Sequence, residues 1–133
     1  MVALTQDRDT QRRDGDIFNL PVGAGATIFA GAIVMLNAAG YAVAGAAATG
    51  QVCAGRAEEP AANSAGADGA VTVNVRSGVF KYAAADITIA HVGDTCFIVD
   101  DQTVSISDGV ATRSAAGVVV GVEADGVWVR MGL

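Results

Sequence analysis

Valines alternate with polar residues from Val71 to Arg76: Val71, Val73 and Val75 fall on one side, Thr72, Asn74 and Arg76 on the other. A period of two is that of a β-strand with one dry and one wet face. The turn pair Asp68-Gly69 opens this strand, and after Ser77-Gly78 the bulky residues shift to even numbers, Phe80 and Tyr82. A strand changes faces in that way by inserting one extra residue. A β-bulge or sharp bend is therefore predicted at Gly78, where the missing Cβ permits it. The strand is expected to start in one part of a core and finish in another.

The remaining chain reads as shorter strands. Ile17 to Gly55 carries no charge, and Val22 to Leu36 is strongly apolar. That run is about fifteen residues, against the roughly twenty of a membrane-spanning helix, and it has glycines at 23, 25 and 31 and no basic flank, so no membrane span is expected. A hairpin accounts for it: a strand over Thr27–Leu36, a turn at Asn37–Gly40 and a return from Tyr41 to Ala44. Gly23-Ala24-Gly25 is not a dinucleotide loop, because Ile28 stands where the third glycine belongs. Gln51–Ala57 is a further strand, and Glu58–Ala67 a loop whose Pro60 and small polar residues speak against regular pairing. Ala83–Asp94 is a connection with room for one helical turn. Thr95–Ser107 gives two strands pivoting near Asp100-Asp101, followed by an Asp108-Gly109 turn. Gly117–Glu123 and Val127–Met131 close into a hairpin through Asp125-Gly126. On the last strand Val127, Val129 and Met131 share one face, with Trp128 and Arg130 on the other. The fold class is all-β, a compact antiparallel sandwich or barrel of jelly-roll type. One domain spans 17–133, behind an extended polar arm over 1–16.

Composition narrows the function. In 133 residues, 52% are hydrophobic but only 5% aromatic. Such a chain packs thin, tight sheets rather than a deep aromatic-lined pocket. A net charge of −6 argues against nucleic acid, which needs a basic face to displace counterions. Cys53 and Cys96 lie in apolar strands with no metal-ligand spacing, which suits two small buried hydrophobes, with one disulfide as the alternative. His91, the only histidine, has no nucleophile motif near it, and Asp100-Asp101 is better explained by turn chemistry than by an acid pair or a calcium site. No enzyme activity, cofactor or metal site is expected. The first sixteen residues interleave Arg8, Arg12 and Arg13 with four aspartates and show no apolar period. They form either a frayed terminus or an arm that orders on a partner, its arginine forks meeting carboxylates. They carry no apolar core of signal-peptide type, so synthesis and use without Sec export are expected. Trp128 is a partly covered sheet residue or an interface anchor, and its place opposite the valines favours the anchor. The candidate partner contacts are Arg8, Arg12, Arg13, Trp128 and Arg130.

Four segments together resemble the small cement, or head decoration, proteins of tailed bacteriophages: Phe29–Tyr41, Asn63–Gly69 running into Val73–Phe80, Val92–Val104, and Ala116–Val122 with Val127-Trp128-Val129. The likeness is one of strand-and-turn pattern from about residue 17 onward. It implies a structural protein that is made in the bacterial cytoplasm and sits on the outer surface of the virion capsid. There, as a dimer or trimer, it would bridge major capsid protein subunits against the pressure of packaged DNA. Two alternatives come from other classes. A trimeric β-fold nucleotide hydrolase is one, because Ser64–Asp68 is similar to a substrate loop of the deoxyuridine triphosphatases, although the chain ends Arg130-Met-Gly-Leu133 without that family's Gly-rich phosphate loop. A glycan- or receptor-binding module using the Trp128 face is the other.

Overall fold

The computed structural model describes residues 2–11, 13 and 15–133. Twelve strands follow in order: β1 (Ile17–Pro21), β2 (Thr27–Ile28), β3 (Ile33–Leu36), β4 (Ala42–Ala44), β5 (Val52–Ala57), β6 (Ala61–Ala62), β7 (Thr72–Arg76), β8 (Gly78–Tyr82), β9 (Thr95–Ile98), β10 (Val104–Ser105), β11 (Ala115–Glu123) and β12 (Gly126–Met131). Among the described residues a single 3-10 turn, Ile89–His91, lies in the expected connection. The first sheet has the order β1-β7-β5-β3-β4, the second β10-β9-β11-β12-β8, and β2 pairs with β6 alone. All strand pairs in the sheets are antiparallel. The fold is an all-β sandwich.

The change of face at Ser77-Gly78 separates two strands of different sheets. β7 pairs with β1 and β5, while β8, one residue later, pairs with β12. Val73 and Val75 of β7 point into one apolar cluster with Val22, Ile28, Val34, Ala54 and Ala57. Tyr82 of β8, with Phe80 packed beside it, belongs to another, made by Ile33, Met35 and Cys53 of the first sheet and Cys96, Ile98, Val119, Val127, Val129 and Met131 of the second. The second cluster is the core between the sheets. The first lies on the opposite face of the first sheet, beneath the small β2–β6 pair. β3 is thus buried on both sides, with Ile33 and Met35 facing one cluster and Val34 the other. This accounts for the unbroken apolar run in the sequence.

Two expectations are corrected. Thr27–Leu36 is not one strand: the chain turns over Phe29–Ala32, where the Ala32 N–H donates to the Phe29 carbonyl at 3.1 Å and Gly31 takes φ 85°. Pro60 does not prevent pairing either. It precedes β6, so its missing N–H is not needed when Ala61 and Ala62 pair with Ile28 and Thr27. The hairpins stand as expected. Asn37 Oδ1 accepts the N–H groups of Ala39 and Tyr41, both at 3.0 Å, and closes the β3–β4 turn. β11 and β12 pair from Glu123↔Gly126 to Gly117↔Met131, with an extra residue between Val119 and Gly121.

Asn63 holds the loops at one end together. It is buried, and its side-chain amide donates to the carbonyls of Val22 (3.1 Å), Gly23 (3.2 Å) and Ala67 (2.9 Å). Its backbone N–H donates to Ala26 and its carbonyl accepts from Gly25. Each of these carbonyls also accepts a backbone N–H, from Gly69, Ala26 and Ala70 respectively, so the amide ties together turns that are already closed. A hydrogen bond contributes about 0.5–1.5 kcal/mol net, so losing an amide that makes three of them costs about 1–3 kcal/mol. Asn63→Ala is expected to lower unfolding free energy by that amount in urea titrations, and Asn63→Asp, which also introduces a buried charge, by more.

Candidate interaction surface

The charged residues nearest the amino-terminal segment form a chain across the first sheet. Asp16 Oδ2 lies 3.4 Å from Arg76 Nη1, Arg76 Nε 3.0 Å from Glu58 Oε1, and Arg56 Nη2 2.5 Å from the same oxygen. The Arg56 guanidinium in turn stacks 4.3 Å from the Phe80 ring centroid, tying β5 of the first sheet to β8 of the second. The Asp16 carbonyl also accepts the Ser77 N–H at 2.7 Å. This anchors the amino-terminal segment at the bend between the sheets. Residues 2–11 and 13 are all exposed and carry no strand or helix. Arg8 is therefore solvent-facing, and Arg13 lies 5.6 Å over the Phe18 ring. Arg12 lies outside the described residues.

Trp128 and Arg130 occupy the outer face of the second sheet, opposite buried Val127, Val129 and Met131. Register aligns Val79, Arg130 and Val118 in one row across β8, β12 and β11, and Lys81, Trp128 and Gly121 in the next. The indole is half-buried because it lies over Gly121, where a Cβ would meet it at 3.2 Å, and because Lys81 Nζ stands 5.7 Å from the ring. Covering a strand glycine with a cross-strand aromatic protects the exposed backbone there. Lys81 also reaches Asp125 (2.9 Å) and Glu123 (3.3 Å). These hydrogen bonds, Asp125's first, raise the Lys81 pKa, and the same contact lowers that of Asp125. Val79 and Val118 are exposed, as is Arg130, which makes no ion pair among the described residues.

Two further apolar features were not singled out in the sequence. Phe29 is 66% exposed on the turn that interrupts the predicted strand. An open groove of about 660 Å³ has walls formed by Val52, Val79, Ala116, Met131 and Leu133 with Arg130 and Ser77 beside them. The signal for Phe29 was present in the Gly31 that follows it. The groove joins residues from four distant segments and had none.

Comparison with protein-family models, curated proteins and solved structures finds no match. The chemistry-bearing residues are engaged locally. His91 Nδ1 accepts the Thr88 N–H at 2.9 Å, closing the 3-10 turn. Asp100 Oδ1 accepts the Gln102 N–H at 2.9 Å, as turn chemistry requires. Asp86 accepts from the Ser105 hydroxyl (2.6 Å) and the Ile106 N–H (3.2 Å). Burial pushes its carboxyl upward, but these bonds, the first above all, prevail and hold it below the ordinary range. Cys53 and Cys96 are unbonded and buried in the inter-sheet core, where burial raises both thiols to about 11. Among the described residues no cluster of three His, Cys, Asp or Glu side chains is placed to hold a metal ion.

Two outcomes follow from this geometry. The hydrogen bond from Arg56, with Arg76 adding to it against partial burial, depresses the Glu58 pKa below its ordinary 4.5. A depressed carboxylate contributes stability that is complete above its unfolded value and disappears as pH falls through the folded one. Melting temperature is therefore expected to fall on acidification below about pH 4.5, with Glu58→Gln flattening that part of the profile. Trp128→Ala should fold, with a loss well short of the roughly 3–5 kcal/mol that emptying a core site costs. It should weaken self-association or partner binding, read by sedimentation beside thermal unfolding. A large fall in melting temperature at unchanged mass would assign the indole a core role instead.

Proposed function

We propose that this chain is a non-enzymatic capsid cement protein. It attaches as a small homo-oligomer to the outer surface of a tailed-phage head and bridges neighbouring major capsid protein subunits. The observation that carries the reading is where the four cement-like segments fall. They become β3 with its turn into β4, the Asn63-bound loop with β7 and β8, β9 with its turn into β10, and the β11–β12 hairpin. Together these supply β3 and β7 of the first sheet and all or part of every strand of the second, so the resemblance extends beyond one local motif. On that frame Phe29, Val79, Val118 and Trp128 face outward at least in part. Apolar side chains rimmed by charges such as Lys81 and Arg130 mark contacts with other proteins. A shell repeats each contact many times, and linked weak contacts act at high effective concentration, so modest single sites suffice.

The hydrolase alternative is disfavoured by how its loop is used. The Asp68 carboxylate accepts the Ala24 N–H at 2.8 Å, and Gly66 packs against Asn63, where a Cβ would lie 2.1 Å from Oδ1. Asp68, the acidic residue of that segment, braces the fold.

Heads assembled without the protein are expected to release DNA at lower temperature, and sooner under chelation, than heads carrying it. Dye accessibility of the genome reads this directly, and added protein should restore it. Heads of equal stability with and without the protein, together with failure of the protein to cosediment with expanded shells, would refute the proposal.

A further inference from the structure

The amino-terminal segment carries an apolar tip on a polar tether. Val2, Ala3 and Leu4 precede a run to Asp16 in which nearly every residue is polar or charged. In the single chain this tip contacts nothing that covers it: Val2 is 94% and Leu4 71% exposed. The molecule also holds an unfilled apolar feature, the groove walled by Val52, Val79, Ala116, Met131 and Leu133. Its volume of about 660 Å³ is ample for several aliphatic side chains. The two features share an address. Asp16, the root of the tether, bonds to Ser77, and Ser77 lines the groove.

We propose that the groove receives the Val2–Leu4 tip of a second copy of this chain, each copy giving its segment and accepting its partner's. Three observations select this occupant. The tip and the groove are both apolar and both uncovered in the isolated chain, so the chain's own tip does not fill its own groove. Arg130 at the groove rim makes no ion pair among the described residues, and the incoming segment brings Asp7 three residues behind Leu4, which supplies the opposite charge once the tip is seated. The root beside the groove makes donor and acceptor one continuous patch, as a contact repeated about a symmetry axis requires. Residues 5–16 extend to about 40 Å at full stretch, enough to cross to a neighbour. The exchange concerns self-assembly alone and does not depend on what the assembly attaches to.

Sedimentation velocity of the full chain, with circular dichroism to verify folding, tests this. The wild-type chain is expected to sediment as a closed oligomer, and the double variant Val2→Asp/Leu4→Asp as a monomer with an unchanged spectrum. Val52→Lys alters a wall residue that is half exposed and should dissociate the oligomer in the same way. Arg130→Glu should weaken association at least tenfold, and adding Asp7→Arg to it should restore most of that loss, which a merely structural Arg130 would not do. Cys53 lies on the groove wall, so its alkylation should be slow in the oligomer and several-fold faster in the tip variant. A monomeric wild-type chain, an oligomer indifferent to the tip substitutions, or a charge reversal without rescue would overturn the proposal. So would faster Cys53 alkylation with mass unchanged at the monomer, which would place the tip in its own groove. Shell binding measured on the same variants is a separate readout, and its loss without dissociation would bear on attachment only.

Discussion

Because only Ser77 stands between β7 and β8, the side chains that β7 sends to one cluster and those that β8 sends to the other are locked together in the chain. Val75 and Tyr82 lie seven residues apart yet belong to different cores. One residue cannot absorb slippage, so a shift of register in either sheet would turn a buried set outward in both. Other elements converge on the same point. The Ser77 N–H is taken by Asp16, and its hydroxyl donates to the Leu133 carbonyl at 3.0 Å. Gly132, at φ 114°, passes so near that a Cβ would lie 2.3 Å from the serine oxygen. The bend therefore fixes where both ends of the folded domain leave the sheets, and the groove opens beside it.

Neighbouring strands within each sheet come unusually close at a glycine. At Gly55 and Gly117 a Cβ would fall 2.3 and 2.1 Å from the carbonyl oxygens of Arg76 and Arg130, so neighbouring backbones approach closer than any side chain permits. Gly55 also takes φ 133°, which disfavours any other residue. The buried side chains are mostly alanine and valine. Of the seven aromatic residues only Tyr82 is buried, and even its hydroxyl leaves the core to donate to the Gly31 carbonyl at 2.8 Å. The other six rings stand wholly or partly at the surface, Trp128 and Phe29 among them.

What could be read from the sequence followed from which faces are wet. β7, β8 and the β11–β12 hairpin each have one buried and one outward face, so their alternation survives, and with it the change of core at Ser77 and the outward side of Trp128. β3 is buried on both faces. Its alternation is erased, and the turn at Phe29–Ala32 was hidden within an apolar run that looked like one strand. β6 was missed because proline was weighed as a breaker without regard to which N–H the pairing uses. The ionic chain from Asp16 to Arg76, Glu58 and Arg56 joins residues up to sixty positions apart through a sheet order that no local pattern encodes. Asn63 gave no warning either, since a buried amide that clamps three carbonyls looks in sequence like any loop asparagine.

The outward groups differ in how firmly they are held, and this difference governs what each contributes to binding. Phe29 stands on a turn fixed at three places: the Ala32 N–H bonds to Phe29 itself, the Gly31 N–H donates to Ala57, and the Gly31 carbonyl accepts from Tyr82. Trp128 is pinned over Gly121 by the pairing of β11 with β12. Binding through these rings requires little further ordering, so most of the contact energy appears as affinity. The segment before Asp16 is the opposite case. It makes few internal contacts, and each residue that orders on a partner loses about 1–2 kcal/mol of backbone entropy. Such a segment adds net affinity only where an apolar tip is buried at its far end and its root is already fixed. Asp16, bonded to both Ser77 and Arg76, supplies the fixed root, and Val2 and Leu4 supply the tip.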